Sequence, residues 1–245
     1  MEKWEKRHGL IKQGWWFKAK QRLLRQALKE LGNEGRSLIL DVGCGVGAGM
    51  DDASDFGTVF GFDIEKEKLA YCSRRHSGRV ALADAASIPF KGKSFDSALC
   101  MNVIYHELVK DDKAVLSEIS RVLKRQGSLV LIESASDSMK RTGIERRYTV
   151  PGLQAMLEEA GFSVKKISHW NMALSPLALL FRKGARSLNS GGKTADSIEY
   201  SVKSGARPFG QALYGWLLLE NWVMGKIGLP FGTSIFCIAE KVGGK

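Results

Sequence analysis

The chain is organised around the stretch Leu38-Ile39-Leu40-Asp41-Val42-Gly43-Cys44-Gly45-Val46-Gly47-Ala48-Gly49, an apolar run that meets an acid and then a glycine cluster. Apolar residues at successive positions, rather than alternate ones, suit a strand covered on both faces, as in a parallel α/β sheet. Gly43, Gly45 and Gly47 remove the β-carbons where a backbone turns sharply and meets a ligand at contact distance. Taken alone, the pattern also satisfies a loose dinucleotide fingerprint, because Gly43-x-Gly45-x-x-Ala48 is followed by Asp63 about 20 residues on.

Downstream, strand-like runs are predicted at 58–63, 79–84, 94–102, 128–133, 162–167 and 233–241. Helical periodicity falls between them at 48–56, 65–75, 110–124 and 151–160. Strands alternating with helices at this pace predict a doubly wound, mostly parallel α/β sheet. Ligands of such sheets bind beyond the carboxyl ends of the strands, which is where Asp41, Asp63, Asp84 and Asn102 fall.

The core is expected over 36–170 plus 232–242. Ahead of it, residues 1–35 are expected to form a lid built on an amphipathic basic helix over 14–31, ended by Gly32-Asn33. The rings of Trp15-Trp16-Phe17 either pack this helix onto the sheet or close over a bound cofactor. A cap insertion is expected at 171–231, mobile at about 183–207, where Gly, Ser and Lys accumulate. Its apolar run at 212–231 contains Glu220, Asn221 and Lys226, which makes a poor membrane span. Three readings fit it: a cap over a greasy substrate, a helix lying on a bilayer surface, or packing against the sheet edge.

Net charge is +11, and it is unevenly distributed: +6 over residues 1–36, −2 over 37–135 and +7 over 136–245. The basic flanks point to an acidic partner (a phosphorylated substrate, an anionic membrane or nucleic acid) or to a solvated surface. Cys44, Cys72, Cys100 and Cys237 are scattered and read as small core residues of a reducing compartment, with no metal site expected. The opening segment has no apolar core of a signal peptide, so a cytoplasmic protein is expected, with peripheral membrane contact as a variant.

The residues also separate the two nucleotide readings. Asp41 lies two positions before Gly43, where a fixed negative charge opposes a phosphate and welcomes a cationic amino group. Asp84, followed by Ala85-Ala86-Ser87-Ile88-Pro89-Phe90, sets an acceptor beside apolar residues, a combination suited to adenine. No second lobe is large enough for a dehydrogenase substrate domain.

In order, Leu38–Gly47, Asp63, Asp84–Phe90, Phe95-Asp-Ser-Ala-Leu-Cys100 and Val122–Val130 resemble the successive motifs of class I S-adenosylmethionine-dependent methyltransferases of the type 11 group. Gly14-Trp-Trp-Phe-Lys18 resembles the opening of a subgroup with a Trp-Trp-Phe-Arg helix, Lys18 standing in for the Arg. Arg146-Arg-Tyr148-Thr and Leu229-Pro-Phe-Gly232 resemble further elements of that subgroup. The resemblance implies a seven-stranded Rossmann-like methyltransferase fold with S-adenosylmethionine as cofactor and S-adenosylhomocysteine as product. It implies that Asp63 accepts the ribose hydroxyls, that Ile64 also binds the cofactor, and that Asp84 and Ala85 hold adenine. Gly43, Cys44, Gly45 and Gly47 pass under the methionine portion, Asp41 faces its amino group, and Met101 and Asn102 line its side. Trp16, Lys18, Tyr105, Arg146 and Tyr148 are substrate or lid candidates.

Methyl transfer from a sulfonium is an in-line displacement that gains most from alignment. A general base is required only for a hydroxyl acceptor, and His106 is the candidate, ahead of Tyr105, Tyr148 and His169. The expected activity is methyl transfer to an O or N nucleophile of a small, partly apolar, anionic molecule such as a lipid-linked saccharide or metabolite. The alternatives are an RNA or protein methyltransferase and a non-catalytic cofactor-binding subunit.

Overall fold

The computed structural model describes residues 1–32, 35–135, 148–172 and 207–243. In chain order the elements are α1 (Glu2–Gln13), α2 (Trp15–Glu30), β1 (Ser37–Val42), α3 (Ala48–Ala53), β2 (Gly57–Asp63), α4 (Lys66–Cys72) and β3 (Val80–Leu82). They continue with β4 (Phe95–Met101), α5 (Asp112–Val122), β5 (Leu123–Ser134), α6 (Val150–Glu159), β6 (Phe162–Trp170), α7 (Arg207–Lys226) and β7 (Ser234–Lys241).

One seven-stranded sheet runs in the order β3-β2-β1-β4-β5-β7-β6. From β3 to β5 all neighbours are parallel, and β7 is antiparallel to both β5 and β6. Side chains alternate between two cores, as the pleat requires. Leu40, Val42, Ala98, Cys100, Leu129 and Leu131 face α5 and α6. Ile39, Leu99, Val130, Ile132 and Phe236 face α2, α3, α4 and α7. Asp41 shares the parity of Ile39 and so points to the face covered by α2.

Two helices stand at the amino terminus where one is expected. Gly14 is extended (φ −63°, ψ 132°), and its N–H closes α1 on Leu10 O at 2.8 Å. The helix α1 buries only Trp4, so it carries no apolar stripe for a periodicity reading to detect. In α2 the stripe is complete: Trp15, Trp16, Ala19, Leu23, Leu24, Ala27 and Leu28 are all buried. A second departure lies at β5, which starts at Leu123 directly from α5 instead of at 128. Gln126, left-handed at φ +62°, lies within its early part.

The expected mobile stretch 183–207 and the apolar start of the insertion lie outside the described residues, apart from Arg207 at the head of α7. That helix is held from within. Asn221 Oδ1 accepts from Trp170 Nε1 at 2.8 Å, its Nδ2 donates to Ala19 O at 3.3 Å, and Glu220 accepts the Met172 N–H at 2.9 Å. Among the described residues no helix is long and apolar enough to cross a membrane.

Candidate active site

Chain order reverses between β1 and β4, and the crevice beyond the carboxyl ends of those two strands is the place this topology offers to a ligand. Val42 and Cys100 are paired neighbours there. A cavity of about 220 Å³ opens at that point, lined by Asp41, Gly43 to Val46 and Met101 from the sheet side. Phe17, Lys20 and Gln21 of α2, and Arg7 and Ile11 of α1, line its other side.

The glycine loop is built as its sequence requires. Gly43, Gly45 and Gly47 have φ of +66°, +54° and +84°, in the left-handed region that favours glycine. Space is restricted as well: a β-carbon on Gly47 would lie 2.6 Å from Cys72 Sγ. The loop is pinned by Cys44 N–H to Phe62 O at 2.9 Å and by Gly47 N–H to Cys44 O at 2.8 Å. Gly45 N–H donates to Asp63 Oδ2 at 2.8 Å, and Glu65 N–H donates to Asp63 Oδ1 at the same distance. The Asp63 carboxylate is thus fixed by two backbone donors.

Asp41 is buried, and burial pushes its carboxyl up to about 7. The Lys20 ammonium opposes the shift, while the charges of Asp63 and Asp52 add to it. An acid placed where its charge is costly, on the wall of a cavity, is suited to a cationic ligand. Lys20 Nζ also donates to Asn102 Oδ1 at 2.7 Å. Asn102 takes φ +65°, a conformation asparagine tolerates, and its N–H donates to Ile132 O at 2.7 Å.

The sequence candidates divide. Asp41, Gly43, Cys44, Gly45 and Met101 line the cavity; Gly47 sits at the loop's turn into α3, Asp63 stands behind Gly45, and Asn102 is tied to Lys20. Ile64 is exposed, and Asp84 is exposed with Oδ1 accepting the Ala86 N–H at 2.8 Å, beside buried Ala85. None of these three is on the cavity wall. The apolar part of that loop serves the core: Ile88 is buried and Phe90 meets Phe95 edge-on at 5.1 Å.

Among the lid candidates, Trp16 is buried against Trp170 at 5.6 Å, so its ring packs the helix onto the sheet layer. Lys18 is exposed and off the cavity wall, and Lys20 takes the inward place. Two residues turn a helix by about 200°, which exchanges outside for inside. Tyr148 is buried, with its hydroxyl hydrogen-bonded to Ile104 O at 3.1 Å and Asp112 Oδ2 at 2.9 Å, a brace between the loop after β4 and α5. Tyr105 is half-buried beside His106, and Arg146 lies outside the described residues. His106 is not on the cavity wall, and its Nδ1 accepts the Leu108 N–H at 3.3 Å. His169 is buried, with Nδ1 at 3.2 Å from Leu229 O.

Two features escaped the sequence reading. One is α1, which reaches the cavity and is tied to α3: Asp51 of α3 meets His8 and Lys12 of α1 at 2.8 Å and 3.4 Å, and also His76, after α4, at 2.8 Å. The other is Glu133, fully buried at the end of β5, where one oxygen accepts from Val103 N at 2.9 Å and Ile104 N at 3.1 Å. Burial raises its carboxyl to about 7. An acid ending a strand was the available signal for Glu133; Trp4, alone in a polar helix, gave none for α1.

Residues 40–131 match the family model described as a methyltransferase domain. An O-methyltransferase of Pyrenophora dematioidea is 30% identical over 206 residues, 75% of this chain and 76% of that protein. An uncharacterized protein of Methanocaldococcus jannaschii is 38% identical over 112 residues, a match spanning 46% of this chain and about half of that relative, 47%. The fold is that of a putative sarcosine dimethylglycine methyltransferase from Galdieria sulphuraria, with a TM-score of 0.62 at 17% identity over 92% of this chain and 86% of the other. With this sheet order, this glycine loop and these relatives, the chain belongs to the class I S-adenosylmethionine-dependent methyltransferases.

Proposed function

We propose that the chain transfers the methyl group of S-adenosylmethionine to an oxygen nucleophile of a small, partly apolar, anionic molecule. The carrying observation is the pairing of buried Asp41 with Lys20 on the wall of one cavity at the topological switch point. A ligand that presents an ammonium and a carboxylate on the same carbon matches a carboxylate and an ammonium facing the same space.

In this reading Asp41 takes the amino group and Lys20 the carboxylate, while the Gly43 to Gly45 backbone passes under the methionine chain. Asp63, held by Gly45 and Glu65, keeps its outward lone pairs for the ribose hydroxyls, and Asp84 with Ala85 takes adenine. The cofactor supplies an electrophilic methyl with its own leaving group. The protein's part is then alignment and exclusion of water, for which well-oriented reactants gain up to about 7–11 kcal/mol. Phe17, Leu24 and Met101 give the cavity its apolar share.

The relatives named O-methyltransferase support oxygen as the acceptor atom. His106 as base requires its free Nε2 to lack a proton. With Nδ1 accepting from Leu108, the neutral ring carries its proton on Nε2, so the ring must first give up that bond. An acceptor that is already ionised needs no such step.

A labelled-methyl assay against fractionated extract tests the proposal. Label recovered in a small organic molecule, on oxygen, supports it. Label in RNA or protein overturns the acceptor class, and cofactor binding without turnover in any fraction overturns the activity.

A further inference from the structure

The helix α7 is apolar on both sides. Its inner side is anchored by Glu220 and Asn221 and buries Leu217 and Met224. That anchoring turns Trp216, Leu219 and Trp222 outward, 53%, 53% and 58% exposed at a spacing of three residues, with Ile227 65% exposed just past the helix end. A helix apolar all round belongs under cover, and large exposed rings side by side mark a contact surface.

What lies beside this face decides its occupant. The neighbouring helix α2 exposes Lys18, Arg22 and Lys29, and Lys226 of α7 lies 4.2 Å from the Trp222 ring centroid. Arg22, Trp222 and Lys226 border one groove of about 380 Å³ between the two helices. The groove's one acid, Glu30, is engaged by Gln26 at 2.9 Å and lies 3.8 Å from Lys166. Indole rings beside exposed cations, on a chain of net charge +11, complement an interface that is apolar below and anionic above.

We propose that the outer face of α7, with the adjoining cations of α2, is a docking surface for an anionic phospholipid bilayer. The helix lies in the plane of the interface with its rings at the level of the headgroups and acyl boundary, and Arg22 and Lys226 meet the lipid phosphates. A second copy of this chain is a poorer fit. A two-fold contact would gather Arg22 and Lys226 of both copies into one interface, where the groove's acid, Glu30, is already engaged by Gln26.

The test is vesicle co-sedimentation of the full chain, with tryptophan emission as a second readout. Vesicles of mixed phosphatidylcholine and phosphatidylserine are expected to retain the protein and shift its emission to the blue, with phosphatidylcholine alone retaining little and added salt weakening the retention. The exposed double substitution Trp216→Ser/Trp222→Ser is expected to lower partitioning by about tenfold or more, with melting temperature and cofactor affinity unchanged. Arg22→Glu/Lys226→Glu, which leaves both rings in place, is expected to do the same. Equal retention of wild type and both variants, or no retention on the anionic vesicles, overturns the proposal. So does a mass by light scattering of twice the 27.0 kDa chain that returns to one chain in the tryptophan variant: the face is then a dimer contact.

Discussion

Lys20 and Asn102 stand 82 positions apart and meet at 2.7 Å, so the amino-terminal helix α2 is fastened to the end of β4 by one charged hydrogen bond at the wall of the cavity. The same ammonium faces buried Asp41 and opposes the rise of its carboxyl. One side chain thereby fastens a loop and tunes an acid, and in the proposed reading its cation takes the cofactor's carboxylate.

Lys20→Met is therefore expected to weaken cofactor binding by about 10- to 100-fold, the range of a lost charge-assisted hydrogen bond. Lys18→Met, on the outside of the same helix, is expected to leave binding unchanged. Calorimetric titration of both variants checks the pair, and equal effects would remove the role assigned to Lys20.

The carboxyl of Asp41, held near 7, makes both stability and binding depend on pH. Its folded-state value lies above the ordinary 3.8, so the native state holds the proton more tightly than the unfolded chain. The stability this gives is complete below about pH 4 and is lost as pH rises through about 7. A bound ammonium favours the charged form, so cofactor binding near pH 7 is expected to release a proton from Asp41 and to weaken on acidification. Calorimetry in buffers of different ionisation enthalpy reads that proton. In Asp41→Asn the release from this site should vanish, and affinity should fall about 10-fold or more.

Asp51 ties α1 to α3, the helix that follows the glycine loop, through His8 and Lys12, and ties α3 to the turn after α4 through His76, with Arg75 Nε at 3.7 Å. Its carboxyl is held below the ordinary range by hydrogen bonds from His8 and His76 and the charges of Lys12 and Arg75, against burial, which raises it. Burial lowers the pKa of His8 despite its bond to Asp51. Both shifts give stability that is present at neutral pH and lost on acidification, first as His8 gains its proton and then as Asp51 does. Asp51→Ala is expected to cost about 1–2 kcal/mol. Hydrogen exchange should show α1 opening before the sheet, and more readily at pH 5 than at pH 8. Unchanged protection of α1 in the variant would remove the tie.

Tyr148→Phe separates a brace from a substrate contact. Loss of the hydroxyl's bonds to Ile104 and Asp112 is expected to lower stability by about 1–2 kcal/mol, with the Michaelis constant for the acceptor unchanged. A raised Michaelis constant at unchanged stability would return Tyr148 to the substrate side.

The glycine loop and the strand-end acids of this cavity are legible in the sequence because their signals are local. Gly43, Gly45 and Gly47 carry their backbone requirement in their identity, and Asp41 and Asp63 sit at strand ends that apolar runs announce. The other half arises from how distant segments meet. Lys20 instead of Lys18 depends on the rotation of α2 about its axis, set by which of Trp15, Trp16 and Ala19 the sheet buries. The antiparallel placement of β7 between β5 and β6 leaves no mark on its composition, since a central strand reads as a continuous apolar run in either direction. Tyr148 looked available because a tyrosine in a polar stretch gives no sign of a carbonyl and a carboxylate waiting 44 and 36 positions upstream.

At the far side of the sheet, Trp170 ends β6 opposite Ser234, the first residue of β7, so the chain leaves and returns at neighbouring rungs of one ladder. The gap is close to zero: a side chain at Gly232 would strike the Trp170 carbonyl at 2.3 Å. An excursion whose ends are already joined pays little more closure entropy when it lengthens, since that cost grows only with the logarithm of loop length. The segment bearing α7 thus departs from and rejoins the sheet at one rung, at the edge away from the strands β1, β2 and β4 that lead into the glycine loop, Asp63 and Asn102. The insertion and the switch point between β1 and β4 are thereby separate places in one sheet.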